Sequence, residues 1–190
     1  MRIRAGRYKG RVLAYPKSGL RPTKDITRQA VFNILGSRVK GARILDLYAG
    51  GGALGIEALS RGATETVFVE QNPLVVRYLR ENVKGLDGAV VVRGDVLRVL
   101  ARFPKKPFDV VLADPPYRRG LVQVTLDRAA ECGLVASGGW FVVEHHRMEQ
   151  PVAPDGWESV KQGRYGESLI SILRRLGGQE TTKREVPSAK

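Results

Sequence analysis

Short apolar runs alternate with helical stretches through the middle of this chain, and that alternation leaves few folds open. The runs are ARILDLY (42–48), TETVFVE (64–70), AVVVRG (89–94), FDVVLA (108–113) and GWFVVEH (139–145). Each has the length of a strand and is bounded by turn residues or acids. Between them, residues 53–60, 73–84, 96–102 and 119–132 carry helical spacing, and Asn72-Pro73 supplies an N-cap with a helix-starting proline. Residues 157–175 read as a closing antiparallel pair. The pattern predicts an α/β fold: a doubly wound sheet of about seven strands, mostly parallel with a C-terminal antiparallel strand, and helices on both faces. A chain of 190 residues suits one domain of this kind.

Ligands of such sheets bind at the carboxyl ends of the strands, where the strand order reverses. The residues just after each strand are therefore the candidates. After the first come Asp46, Tyr48 and GGGALG, whose Gly50, Gly52 and Gly55 match GxGxxG between a strand and a helix. After the second come Glu70 and Gln71, and Glu70 stands near the spacing at which an acid binds a ribose hydroxyl. After the third come Asp95 and Val96, suited to an adenine amino group and ring, with Asp95 also placed to N-cap a short helix. No Gly-Lys-Ser/Thr follows the glycines, which excludes a P-loop. A carboxylate at Asp46 repels a pyrophosphate and favours an ammonium or sulfonium ligand. Three acids at three strand ends suit S-adenosyl-L-methionine better than a nicotinamide dinucleotide.

The fourth strand ends in ADPPYRRG (113–120). Proline fixes its own φ and pushes its predecessor to extended conformations, so Asp114-Pro115-Pro116-Tyr117 is a stiff edge. An ionised carboxylate and proline carbonyls only accept hydrogen bonds. Such an edge suits a donor, the exocyclic amine of a nucleobase, with Tyr117 as a stacking face for a base taken out of its stack.

Charge points to the same class of partner. Net charge is +13, and residues 1–43 hold twelve Lys/Arg against one acid, while 44–173 are almost neutral. A basic leader beside a neutral domain suggests a polyanion. The leader reads as a hairpin over 2–16 and a helix from about residue 23, so the expected organisation is a basic RNA-binding extension at 1–40, a catalytic domain at 41–176 and a disordered tail at 177–190. Arg4, Arg7, Lys9, Arg11, Arg21, Lys24 and Arg28 are the candidate phosphate contacts, with Arg118 near the target base. No apolar run spans a bilayer and the first residues lack a signal-peptide core, so the expectation is a cytoplasmic protein without membrane contact. Cys132 reads as a small buried hydrophobe. His145-His146 lack metal-ligand spacing and read as a strand end, so no metal site is expected. Tyr165, in a hairpin turn, is a minor candidate for approaching the substrate.

These residues carry a resemblance. D46-LYAGGG with Glu70 and Asp95 resembles the cofactor motifs of class I methyltransferases, whose sheet is Rossmann-like. The DPPY motif resembles that of amino-methyltransferases acting on adenine N6, cytosine N4 or guanine N2. RIRAGRYKGRVL, LRPTKDITRQAVFNIL and ARILDLYAGGGALGIEALSRGA, with FVE (68–70) and VEH (143–145), resemble the 16S ribosomal RNA (guanine(966)-N2)-methyltransferase family over nearly the whole chain. Departures are Gly51 where the family often has Ser, Ile26 where a basic residue is common, and Gln29 where Glu is common. The first is expected to loosen the cofactor loop. The resemblance implies methyl transfer from S-adenosyl-L-methionine to one guanine N2 of 16S rRNA, within a small-subunit ribosomal particle. With no spare element evident, a monomer is the default expectation. The alternative is an adenine-N6 methyltransferase acting on DNA or RNA. A DNA enzyme usually needs a target-recognition region, and little chain is left to build one. A nicotinamide oxidoreductase is disfavoured by Asp46, and a non-catalytic binding protein by the intact set of acids.

Overall fold

The computed structural model describes residues 1–16, 25–103, 106–165 and 168–177. The strands are β1 (Arg43–Leu47), β2 (Glu65–Glu70), β3 (Ala89–Arg93), β4 (Phe108–Ala113), β5 (Val135–His146), β6 (Trp157–Tyr165) and β7 (Ser168–Arg175). They form one sheet in the order β3-β2-β1-β4-β5-β7-β6. The pairs from β3 through β5 are parallel. Strand β7 runs antiparallel to both its neighbours, β5 and β6, so it alone is reversed. The helices are α1 (Asp25–Leu35), α2 (Ala53–Ser60), α3 (Pro73–Val83), α4 (Val96–Leu100) and α5 (Leu121–Glu131), and a 3-10 turn, Gly36–Val39, follows α1.

Side chains alternate across the sheet. Leu45, Leu47, Val111 and Phe141 face one side and pack with Leu100 of α4 and Leu126 of α5. Ile44, Val110, Leu112 and Val142 face the other and pack with Phe32 and Leu35 of α1 and Leu54 of α2. Strand β5 starts at Val135, four residues before the expected position. Its first part, VASGG, has no apolar pattern, and the register with β4 shifts between Phe108 and Val110 to admit it.

The leader does not stand apart from the domain. Arg2 and Val12 bridge in antiparallel fashion, closing the expected hairpin, and Ile3 and Leu13 are buried against Ile56, Leu59, Phe68 and Leu79. All eight residues of α2 are buried, including Glu57 and Ser60. The Glu57 carboxylate accepts the backbone N–H of Arg4 (2.8 Å) and Ala5 (3.1 Å) and the Nε–H of Arg61 (2.8 Å), and pairs with Arg28 Nε at 3.8 Å. Ser60 receives Tyr8 N–H on its hydroxyl (2.9 Å) and Arg7 N–H on its carbonyl (2.7 Å).

Arg28 is thereby corrected. Expected to reach RNA, it is fully buried and donates to the Arg2 carbonyl at 2.7 Å. Its helix turns it inward, because Arg28 shares a face with Val31, Phe32 and Leu35. Cys132 is half-buried at the end of α5 rather than fully so. His145 is buried, with Nε2 2.8 Å from Ser171 Oγ, and burial lowers its pKa. Arg21, Lys24 and the tail beyond 177 lie outside the described residues.

Truncating Glu57 leaves the Arg28 guanidinium in the core without its carboxylate. Glu57→Ala is expected to cost about 3–5 kcal/mol, read by denaturant unfolding.

Candidate active site

The strand order reverses between β1 and β4, and the pairing there aligns four strand ends. Leu47 is opposite Val69 and Ala113, and Ala113 is opposite Val143. One residue further along, Tyr48, Glu70, Asp114 and Glu144 reach the rim in a row. A cleft of about 1010 Å³ opens over them. From the expected set it is lined by Tyr48, Gly50, Glu70, Gln71, Val96 and Asp114 through Arg118.

One half of the cleft is built on the glycine loop. Gly52 caps α2 at φ 85°, a left-handed conformation that a Cβ would strain, and that Cβ would also lie 2.6 Å from Leu79. Glu70 holds the loop: Oε2 accepts Gly50 N–H (3.0 Å) and Oε1 accepts Asn72 N–H (2.8 Å). Each carboxylate oxygen keeps a second acceptor site. Asn72 caps α3 through its side chain, and Val75 and Val96 give the cleft apolar walls.

Asp46 sits behind this loop. It is 1% exposed, does not line the cleft, and accepts Gly55 N–H at 2.8 Å. Burial raises its pKa well above the usual carboxylate range; the Gly55 bond opposes the rise, and the charges of Asp114 and Glu70 add to it. The expected direct contact with a cationic ligand thus gives way to a fastening role, because the side chain leaves β1 beneath the loop. Gly52 and Gly55 pack closely against Leu79 and Phe68, and Asp95 is the exposed N-cap of α4, accepting Arg98 N–H at 3.0 Å.

The other half is the DPPY edge. Tyr48 and Arg118, at φ 58° and 57°, are the non-glycine residues in the left-handed region among those described, and they flank this edge. Such a conformation costs about 1–3 kcal/mol and persists only where the surroundings impose it. For Arg118 the cause is Glu149, which accepts the N–H of Arg118 (2.8 Å) and of Gly120 (3.1 Å). Tyr48 is anchored by a 2.7 Å hydroxyl contact with Thr125. The Tyr117 hydroxyl donates to Glu144 Oε1 (2.5 Å) and lies 2.8 Å from Ser168 Oγ. Its pKa is raised, first by burial and then by the Glu144 bond, so the phenol keeps its proton. Tyr117 is 37% exposed and lines the cleft.

Several cleft residues fall outside the expected set. Tyr15 arrives from the leader and lies on the glycine loop: a Cβ on Gly51 would stand 2.3 Å from its ring. Asn82 ties the same two segments, accepting Ala14 N–H (2.8 Å) and donating to the carbonyls of Ala14 and Gly51 (2.9 Å each). The glycine at 51 therefore makes room for Tyr15. Glu144 lies two residues before the end of β5, paired with Ile170 of β7, and the strand continues past the rim to His146. Arg164 lines the cleft, whereas its neighbour Tyr165 packs on the core, as strand alternation requires. The leader cations Arg4, Arg7 and Lys9 are exposed outside the cleft. Arg7 pairs with Asp87 at 3.3 Å, and Arg11 donates to the Lys84 carbonyl at 2.9 Å.

Comparison with known proteins places this geometry among relatives. The family model described as conserved hypothetical protein 95 matches residues 1–174. Ribosomal RNA small subunit methyltransferase D of Escherichia coli is 35% identical over 179 residues, covering 92% of this chain and 90% of that protein. A solved structure from Escherichia coli superposes with a TM-score of 0.83 at 34% identity, over 93% of this chain and 98% of its own. A hypothetical protein of Thermus thermophilus superposes with a TM-score of 0.77 at 36% identity, over 90% of this chain and 98% of its own.

The contact between Gly51 and Tyr15 is testable by a double-mutant cycle. Gly51→Ala is expected to destabilise by about 1–3 kcal/mol through overpacking. In a Tyr15→Ala background most of that cost should disappear, with thermal unfolding as the readout.

Proposed function

The chain belongs to the family described as conserved hypothetical protein 95, and we propose that it transfers a methyl group from S-adenosyl-L-methionine to the exocyclic N2 amine of one guanine in 16S ribosomal RNA. The observation that carries this reading is the meeting of two halves in one cleft. A glycine loop held by Glu70 faces a rigid acceptor edge, Asp114-Pro115, across the switch point of the sheet. The small-subunit RNA substrate in the name of the Escherichia coli relative supports the choice of RNA.

The residues present fit the cofactor. The loop at 50–52 brings backbone rather than side chains to the ligand, Glu70 offers free acceptor sites for ribose hydroxyls, and Val75 and Val96 provide apolar walls for the adenine. Gln71 lines the cleft next to Glu70, and Asp95 caps α4 at the neighbouring strand end. When bound, S-adenosyl-L-methionine supplies an electrophilic methyl group on a positively charged sulfur. Buried Asp46 contributes by holding Gly55 and with it the loop.

The chain's own chemistry is at Asp114. An exocyclic base amine is a weak nucleophile because its lone pair is delocalised into the ring. Asp114 and the Pro115 carbonyl accept its two N–H groups, favour a pyramidal nitrogen and stabilise the positive charge that builds on it. The prolines stiffen the backbone that carries both acceptors before the base arrives, which lowers the cost of orienting them at the moment of reaction. Tyr117 offers its ring to the base, and Arg118, Arg119, Arg147 and Arg164 surround the cleft with positive charge for the backbone. Arg4, Arg7, Lys9 and Arg11 extend that charge along the leader, where the exposed Arg7–Asp87 pair is weak enough for a phosphate to replace it. The partner in this reading is 16S rRNA within a small-subunit ribosomal particle, acted on by a monomer in the cytoplasm.

Removal of one such transition-state partner costs roughly 3 kcal/mol, about a hundredfold in rate. Asp114→Ala is expected to lose at least that much transfer of labelled methyl to small-subunit RNA, with cofactor affinity retained by calorimetry. Undiminished transfer would remove Asp114 from the mechanism.

A further inference from the structure

We propose that Glu144 reads the Watson–Crick edge of the target base by accepting guanine N1–H, and so selects guanine from the amine-bearing bases. This rests on the reading of the site given above and adds the residue that sets its specificity.

Three observations place Glu144 for this task. The β4–β5 register pairs Ala113 with Val143, so Asp114 and Glu144 are the next residues on neighbouring parallel strands, which lie about 4.8 Å apart. Both line the same cleft. Glu144 is only 7% exposed; Oε1 accepts the Tyr117 hydroxyl and keeps a second acceptor site, while Oε2 is fully covered and has no hydrogen-bond partner among the described residues. A nearly buried carboxylate with unused acceptor capacity, beside the acceptor proposed for the amine, is built to meet a second donor.

The chemistry of the bases makes the choice. Guanine carries N1–H directly beside its N2 amine, so its edge presents adjacent donors. Adenine has a bare N1 acceptor beside N6, and cytosine a bare N3 acceptor beside N4. With the amine on Asp114, guanine presents a donor to Glu144, whereas adenine and cytosine present a lone pair to a carboxylate. Two acceptors facing each other in a nearly buried site are repulsive. The DPPY edge accepts any exocyclic amine; Glu144 adds the condition that the neighbouring ring nitrogen carry a proton. Tyr117 acts as a positioning residue, since its hydroxyl fixes the carboxylate that borders its own ring.

The competing account is structural. Glu144 also borders a small cavity of about 10 Å³ beside Thr27, and the carboxylate could serve only to order that region.

The test uses the full chain and target RNA carrying either guanine or 2-aminopurine at the methylated position. 2-Aminopurine keeps the N2 amine but has a bare N1. The wild type is expected to prefer guanine in kcat/KM by about a hundredfold or more. Glu144→Gln, whose amide can donate to N1, is expected to lose at least about tenfold on guanine and to reduce the preference by about tenfold. 2-Aminopurine also lacks O6, but that loss is common to both proteins and cancels in the change of preference. A purely structural role lowers both activities and leaves the ratio unchanged, which would overturn the proposal. If Glu144→Gln does not fold, the wild type decides alone: equal rates on guanine and 2-aminopurine overturn it. Wild-type transfer to neither base would instead overturn the reading of the function.

Discussion

The buried carboxylate of Glu57 joins the two parts of this protein. It lies on a two-turn helix with every side chain covered, and accepts backbone N–H groups from the leader as well as the Nε–H of Arg61. An isolated helix of that length is unstable in water, so α2 exists because it is packed on all sides. Its N-terminus carries the glycine loop and its C-terminal half carries Glu57 and Ser60, the docking points of the hairpin. One element thus positions the proposed cofactor loop and the basic leader together. Tyr15 and Asn82 close the connection from the other direction, since both touch the leader and the loop.

The row of strand ends converts this scaffold into a site. In a parallel sheet the register dictates which residues emerge side by side, and here it brings Tyr48, Glu70, Asp114 and Glu144 to one rim. Three of the four are acids. Each has taken a different role. Glu70 is spent on backbone N–H groups and Glu144 on the Tyr117 hydroxyl, while Asp114 sits on the proline edge. The two non-glycine left-handed residues among those described, Tyr48 and Arg118, lie where such a rim needs the chain to turn sharply without a glycine's flexibility. Glu149 imposes one of these turns from a loop thirty residues away in sequence.

Much of this was legible in the sequence because it rests on local periodicity. The alternation of apolar runs and helices locates the elements, and the rule that ligands meet the carboxyl ends of strands locates Gly50, Glu70 and Asp114. Reading failed where the decisive contact is long-range. Arg28 looks like any leader cation until α1 is seen to turn it toward Glu57. Asp46 looks like a ligand-facing acid until the loop is folded over it. Gly51 looks like a loosened loop residue until Tyr15 is placed on it. Glu149 carries no local signal, since its partners are backbone groups of a distant turn. The start of β5 was missed because two glycines and a bulge erase the strand pattern there.

The central claim is that the amine methylated is N2 of guanine. Its most direct test is nucleoside mass spectrometry of small-subunit RNA after reaction with the purified protein and isotopically labelled S-adenosyl-L-methionine, using particles from cells lacking the methylation. The account predicts label in N2-methylguanosine alone, at a single position. Label in N6-methyladenosine or N4-methylcytidine, or none in RNA, would contradict it.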